Sequence, residues 1–532
     1  MAVRFFLLSG VFLVLFGLLG ANLFHLQIQK GEYYFAKAEA RSEFQAALDL
    51  RRGEITVTDR TGKRTSAALN RDYPVILASP KDVEDAAEAA ALLSPLIGWE
   101  EEELKEILSN KESLFRLLVE RAESDELRAV EELNLKGIYI DQKQYRSYQF
   151  DDLAAQLIGF VGVNDKYDEP VGLYGLEREH DDDLKDGGNV NLTIDINLQS
   201  KSEELLKELV EKFSAEGGSI IIEEPKTGKI IAMASAPGFN PNDYGASPVK
   251  NFTNPVVQAI YEPGSVFKPI TMAAGIDLGV ITPTSTYYDS GKITLNGKTI
   301  ENWDHKAYGQ ISMTRVIERS VNTGAVFAES KIGHDNFYEY LKKFGFGQLS
   351  NVDLPDETRG SLKNLENKNA RAIDFATASF GQGTAVTPIQ IINAFSVLAN
   401  GGVLMRPYVS ASLEPEEVRR VINEDTAQKV MGMMESAVRE AAVASIPNYR
   451  VAGKTGTAQV PDFVRGGYGG ELIHTFIGFA PVSNPRFVIM IKLDKPQSPL
   501  AGQTVVPAFR ELAEYVLNYY QVPPDNLTTN DL

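Results

Sequence analysis

An α+β fold, an antiparallel sheet covered by helices, is predicted for the residues beyond 190, and two hairpins with a helical middle predict it. "GSIIIEEPKTGKIIAMAS" reads as one hairpin, with the Pro225–Gly228 turn between β-branched runs. "ELIHTFIGFAPVSNPRFVIMIKLD" gives a second pair of strands across an Asn-Pro turn. Helical runs fill the middle, including Thr387 to Ala399 and Asn423 to Ala441. Strands at both ends of a segment with helices between them suggest one sheet with a helical cover.

The chain has 532 residues, 43% of them hydrophobic, enough for two or three domains with cores of their own. Charged residues make up 23%, unlike a disordered composition. The net charge of −19 argues against nucleic-acid binding, where phosphates call for Lys and Arg. With no cysteine, disulfides, thiolate metal sites and a Cys nucleophile are excluded together. The histidines at 25, 180, 305, 334 and 474 show no H-x-x-x-H pairing, so neither a zinc centre nor a cofactor is expected. Carboxylate-rich metal sites stay open on this ground alone.

Residues 5–28 read as a transmembrane anchor. After Arg4 there is no formally charged side chain until Lys30, and about 20 apolar residues span a bilayer core. A cleaved signal peptide would have a shorter apolar region and a small-x-small site, for which Leu19 to Ala21 is a poor match. Arg4 on one side, and Lys30, Lys37 and Arg41 on the other, leave the orientation open. Residues 29–190 mix strand-like stretches ("EITVTD", "YPVILAS", "GIYID") with an acidic helical region from Lys81 to Leu133. "HDDDLKDGGN", His180 to Asn189, is a polar hinge and marks the domain boundary. "NVNLTIDINLQSKSEELLKELVEKF" then reads as a strand followed by an amphipathic helix, and the chain closes on a polar tail from Gln521.

"VAGKTGTAQV", Val451 to Val460, could end a phosphate-binding loop or form a strand beside a serine acyl-transfer site. The loop requires glycine five residues before Gly453, where Asn448 stands, and "NYRVA" is bulky and strand-like. An acyl-transfer site needs a nucleophile, a base in reach, a second proton carrier and oxyanion donors. "YEPGSVFKP" supplies Ser265 and Lys268 at i and i+3, on one face of any helix that begins here. Pro263–Gly264 breaks the chain before them, and a helix N-terminus leaves free N–H groups near Ser265. Pro269 is acceptable only within the first turn. "ERSVNTGAV" offers Ser320 and Asn322. Each signal alone is an ordinary turn or helix start; the ordered set S-x-x-K, S-x-N, K-T-G-T is specific.

These three stretches resemble the active-site motifs of penicillin-binding proteins, the serine D,D-transpeptidases of peptidoglycan synthesis. "RRGEITVTDRTG" (51–62), "YGLERE" (174–179), "TIDINLQ" (193–199), "PKTGKIIAMASAPGFNPN" and "ASFGQGTAVTPIQ" also fit the pattern, so the likeness covers nearly the whole chain, anchor included. The pedestal stretches resemble class B members. "IENWD" (300–304) and "HTFIGFAPVSNPRFVIMIKLDKP" look more like the division, or septal, type than the elongation type. One departure is Gln149 in "RSYQFDDLAAQLIGFVG", where the family usually has Pro.

The resemblance implies a transpeptidase domain of the penicillin-binding-protein and β-lactamase-like fold at 191–520, with a helical subdomain. It would stand on an extended pedestal domain of the dimerisation type at 29–190, with a cytoplasmic tail (1–4), one transmembrane helix (5–28) and a polar tail (521–532). Ser265 would attack the penultimate D-Ala carbonyl of a stem peptide, and Lys268 would be its base. Its pKa must then fall from about 10.4 toward 7, a cost of about 4 kcal/mol. Two ammonium groups about 4 Å apart at an effective dielectric of about 20 repel by about that much, so Lys454 would help keep one lysine neutral. Ser320 would bridge the lysines and relay a proton, and Asn322 would orient Lys268. Thr455 and Thr457 share one face of a strand and would hold the terminal carboxylate, while Lys454 and Gly456 share the other. The N–H groups of Ser265 and Thr457 would form the oxyanion hole. Gly456 lets the strand pack closely, and Gly381, Gln382 and Gly383 would line the cleft. Trp303 and Asp304 would border the acceptor side. Glu177, Arg178, Arg52, Asp59 and Arg60 fit structural polar networks of the pedestal.

Expected partners are D-Ala-D-Ala donor and amine acceptor stems, β-lactam antibiotics, a polytopic glycosyltransferase and other division proteins, and the bacterial inner membrane. The catalytic domain would lie outside the cytoplasm, because stem peptides exist only there. Competing readings are a β-lactamase or carboxypeptidase, an elongation-type transpeptidase, and a non-catalytic scaffold or β-lactam sensor.

Overall fold

The computed structural model describes residues 52–164, 167–366, 369–461 and 467–526, together with Phe16. Apart from Phe16, the expected anchor at 5–28 lies outside the described residues, as does the tail beyond Asn526. Among the described residues no helix is long and apolar enough to cross a membrane. The chain forms two compact units, one built on Asn70–Ser147 and the other on Gly53–Leu69 with everything from Tyr148 onward.

In the first unit, helices Ala86–Ile97, Glu101–Ser109 and Ser124–Leu133 pack around Leu93, Leu104, Leu108 and Val130. The first of them starts where the Asp85 carboxylate accepts from the N–H groups of Ala87 and Glu88, and stops at Gly98 in the left-handed region. The region from Lys81 to Leu133 is not helical throughout, as the sequence suggested. Arg116–Val119 is a strand that pairs with Ile76–Ala78. Only four residues long, it carries too little pattern to separate period 2 from period 3.6.

The second unit is organised on one five-stranded sheet. We label its strands β1 (Gly217–Glu224), β2 (Lys229–Ala236), β3 (Ala452–Pro461), β4 (Tyr468–Ala480) and β5 (Phe487–Asp494). The principal helices are α1 (Ile196–Lys212), α2 (Lys268–Asp277), α3 (Met313–Arg319), α4 (Asn322–Ile332), α5 (Pro388–Ala399), α6 (Glu424–Ala441) and α7 (Val505–Tyr519). Both predicted hairpins are present, and so are the two predicted helices, capped by Thr387 and Asn423. The strand order is β3-β4-β5-β1-β2, every pair antiparallel. The β5–β1 pairing, with Ile491 opposite Ile220, joins segments separated by most of the domain.

Apolar runs such as "SIIIE" and "FVIMI" imply strands buried on both faces. Ile220, Ile222, Ile489 and Ile491 pack with Leu205 of α1 and Phe509 and Leu512 of α7. Ile221, Val488 and Met490 share the other core with residues of α2, α5 and α6. Each such fully buried side chain contributes about 1.5–3 kcal/mol. Residues 268–276 of α2 are all buried, so the lysine that opens this helix is in the protein interior. β3 is the edge strand: among the described residues it pairs only with β4.

Candidate active site

Ser265 sits in a single 3₁₀ turn, Gly264–Phe267, that runs directly into α2. Pro269 is the second residue of α2, where no intrahelical N–H is needed. The turn lies on β3. A Cβ added to Gly456 would stand 3.0 Å from the Pro263 carbonyl oxygen and 3.1 Å from Val266 Cγ1, so glycine lets strand and turn touch. Gly264, with φ +61°, has Ala458 Cβ 3.0 Å from where its own Cβ would be.

Lys268 is fully buried, and its Nζ is surrounded by acceptors. Its distances are 3.0 Å to Ser265 Oγ, 2.6 Å to Ser320 O, 3.1 Å to Ser320 Oγ and 2.8 Å to Asn322 Oδ1; the two carbonyl oxygens can only accept from it, whereas either hydroxyl can donate to the amine when it is neutral. Ser320 ends α3 in the left-handed conformation, φ 55°, which directs both its carbonyl and its hydroxyl at the lysine. Asn322, the first residue of α4, is held by its amide N–H₂, which donates to Glu301 O at 2.9 Å. Lys454 Nζ donates to the same Ser320 Oγ at 3.1 Å and to Thr455 O at 3.0 Å.

The electrostatics follow from this burial. Desolvation, and then the charge of Lys454, push Lys268 well below the ordinary lysine value. Burial alone pushes Lys454 down to about 7. Burial is thus the larger cause of the Lys268 depression and the Lys454 charge, from which the sequence reading built it, the smaller one.

The alternation along β3 is as expected, with Lys454, Gly456 and Ala458 buried and Thr457 and Gln459 exposed. Thr455 is half-buried, and Lys454 Nζ curls to within 3.3 Å of its Oγ1, closer than alternation alone implies. The glycine loop meets the nucleophile's turn: Gly264 N–H donates to Gly381 O at 3.0 Å. Gly381 has φ +78°, and a Cβ there would stand 2.3 Å from Gly264 O. Gln382 is held through its backbone N–H to Thr377 O and is half-buried.

Trp303 is 57% exposed, its indole N–H donating to Arg319 O at 3.2 Å beside Ser320. Asp304 instead accepts from the Tyr308 hydroxyl at 2.7 Å. The remaining candidates stand apart from the lysines in structural contacts. Arg178 pairs with Asp356, Glu177 is buried against the Tyr148 hydroxyl, and Arg60 donates to Tyr519 O. Asp59 caps its own turn through Thr61, and Arg52 is buried. Sequence reasoning missed Glu262 and Tyr468, whose side chains bond each other at 3.0 Å. The acid's place in "YEPGS" was the only available signal.

Residues 218–514 match the family described as penicillin binding protein transpeptidase domain, and residues 49–214 match the penicillin-binding protein dimerisation domain. Stage V sporulation protein D of Bacillus subtilis is 30% identical over 94% of this chain and 83% of its own length. Peptidoglycan D,D-transpeptidase FtsI of Escherichia coli is 28% identical over 99% of this chain and 94% of its own. Among solved structures, a peptidoglycan synthetase from Bifidobacterium adolescentis superposes with a TM-score of 0.69 at 25% identity, covering 91% of this chain and 97% of that one. Penicillin Binding Protein 2X from Streptococcus thermophilus shares the fold with a TM-score of 0.73 at 21% identity, over 89% of this chain and 80% of its own. With both domains matched in order, and a serine–lysine centre under the transpeptidase sheet, the chain belongs to the class B penicillin-binding proteins, the D,D-transpeptidase branch of that family.

Proposed function

We propose that this protein is a membrane-anchored peptidoglycan D,D-transpeptidase of the division septum, working through an acyl-enzyme on Ser265. The observation that carries the reading is the buried Lys268 amine, 3.0 Å from Ser265 Oγ and depressed in pKa by its surroundings. Neutral Lys268 takes the Ser265 proton as Oγ bonds to the penultimate D-Ala carbonyl carbon. The N–H groups of Ser265 and Thr457 receive the oxyanion. As the C–N bond breaks, the proton passes from Lys268 through Ser320 to the leaving D-Ala amine. An acceptor amine then attacks the ester, gives its proton back along the same relay, and releases Ser265 with a new peptide bond. Lys454, Thr455 and Thr457 hold the terminal carboxylate, and β-lactams acylate the same serine.

The run from Phe5 to Ile28 supplies the anchor, and the location of stem peptides puts the catalytic domain outside the cytoplasm. The FtsI name of one relative suggests a division role, and the PenA relatives share the transpeptidase name alone; the sporulation name of the Bacillus relative favours a second reading, cross-linking during spore formation. Depletion separates them: filamentous cells fit the septal role, whereas normal division with failed sporulation fits the other, and rounded cells fit elongation.

The enzymatic test is mass spectrometry after exposure to a penicillin. A stable adduct on the Ser265 peptide is expected, and none after Ser265→Ala. Rapid turnover of the antibiotic would turn the reading into a β-lactamase. Normal growth on Ser265→Ala as the sole copy would turn it into a scaffold.

A further inference from the structure

Glu262 stands three residues before Ser265, and its side chain joins segments that are distant in sequence. Its Oε1 accepts from the Gly383 backbone N–H at 3.0 Å, and its Oε2 from the Tyr468 hydroxyl at 3.0 Å. Gly383 belongs to "FGQGT". Tyr468 opens β4 opposite Pro461, the last residue of β3. Each carboxylate oxygen therefore has a donor from a different segment of the chain. The backbone reinforces one of these ties: Tyr261 and Val386 exchange N–H···O bonds of 3.0 and 2.9 Å, beside the Gly264–Gly381 bond. Tyr468 is tied to the turn from the other side: its hydroxyl donates to Glu262, while its backbone pairs with Pro461 at the end of β3.

A solvated surface acid is the plainer account of a glutamate at a loop. It does not explain two donors from separate segments, or the partial burial that raises the pKa of this acid. A carboxylate that accepts from both a backbone amide and a phenol makes two charge-assisted bonds. The geometry at stake is the separation of two N–H groups on different elements, that of Ser265 on its turn and that of Thr457 on β3. Resting on the acyl-enzyme reading above, we infer that Glu262 is a positioning residue of acylation, tying the Ser265 turn to the glycine loop through Gly383 and holding it in register with the β3–β4 hairpin through Tyr468.

The test uses the full-length protein and a fluorescent penicillin, with the acylation rate and the reversible binding constant measured separately for Glu262→Ala, Tyr468→Phe and the double variant. Misplacing reacting groups by about 1 Å costs up to 10²-fold, so Glu262→Ala should lower the acylation rate about 10- to 100-fold while reversible binding changes much less. Tyr468→Phe, a conservative change at a partly exposed residue, should lower it about 3- to 10-fold without moving Tm. The double variant should be no slower than Glu262→Ala, because both changes remove one shared contact. Glu262→Gln, which keeps an acceptor and the shape, should recover part of the rate. Additive losses, or wild-type acylation by either single variant, would overturn the inference. Failure of the wild-type protein to acylate would instead strike the acyl-enzyme reading itself.

Discussion

Lys268 and Lys454 meet on one hydroxyl: each places its Nζ 3.1 Å from Ser320 Oγ. Two buried amines around one small donor–acceptor group cannot both carry charge cheaply, and each has its pKa pushed down. The hydroxyl can donate to whichever amine is neutral and accept from the other.

Acylation should therefore follow a bell-shaped pH profile. Lys268 accepts a proton only when neutral, so the rate rises as pH climbs through its lowered pKa. Lys454 attracts the substrate carboxylate only when charged, so binding falls as pH climbs through about 7. Lys454→Ala should abolish the descending limb and move the ascending limb to higher pH, since the Lys454 charge is one of the two causes holding Lys268 down. Acylation by a fluorescent penicillin across pH 5 to 10 reads both limbs, and an unmoved ascending limb would contradict the coupling.

Asn322→Asp changes shape little but sets a carboxylate where an amide oxygen now lies 2.8 Å from Lys268 Nζ. An opposite charge at that distance favours the protonated lysine. Acylation near pH 7 should drop about 10²-fold and recover partly at high pH. Asn322→Ala should lose rate without moving the profile the same way.

Ser320 combines a needed hydroxyl with a backbone conformation that suits glycine. Ser320→Gly and Ser320→Ala should both slow acylation by about 10²-fold or more. In urea denaturation the glycine variant should be more stable than the alanine one by about 1 kcal/mol, because only alanine keeps the left-handed strain. Equal stabilities would mean that the turn relaxes out of that conformation.

Two glycines of one loop should differ in their tolerance of alanine. At Gly381 the new methyl would fall 2.3 Å from Gly264 O, on the backbone that presents Ser265. At Gly383 its nearest neighbour is Thr377 Oγ1 at 3.4 Å. Gly383→Ala should cost about 1 kcal/mol for its positive φ and little else, whereas Gly381→Ala should cost more than about 2 kcal/mol and slow acylation sharply. Chemical denaturation and antibiotic labelling of the two variants make the comparison.

Much of this was legible in the chain. The hairpins of the sheet were announced by β-branched runs around Pro225–Gly228 and Asn484–Pro485, since alternation and turn chemistry are local properties. Ser265, Lys268, Ser320, Asn322 and Lys454 were found through their spacing, and the fold does bring their polar atoms together. What stayed hidden depends on meetings between distant segments. The short strand at Arg116 is defined by its partner rather than by its own pattern. Glu262 is defined by Gly383 and Tyr468, more than a hundred residues away. The larger share of burial in the Lys268 shift was likewise unreadable, because a lysine at the head of a helix is ordinarily solvated.

The place of β3 at the margin of the sheet has a consequence for substrate selection. A marginal strand is an unfinished ladder, and proteins ordinarily blunt such margins to avoid pairing with strangers. Here the margin runs past the nucleophile, with Thr455, Thr457 and Gln459 on its open face. An extended peptide laid along it would complete the ladder with main-chain hydrogen bonds, whatever its side chains, and would thereby be drawn past Ser265 in a fixed direction. The enzyme then has to recognise little more than a terminus and a backbone. A compact bicyclic amide offering the same carboxylate and carbonyl needs only that short grammar to be mistaken for a strand.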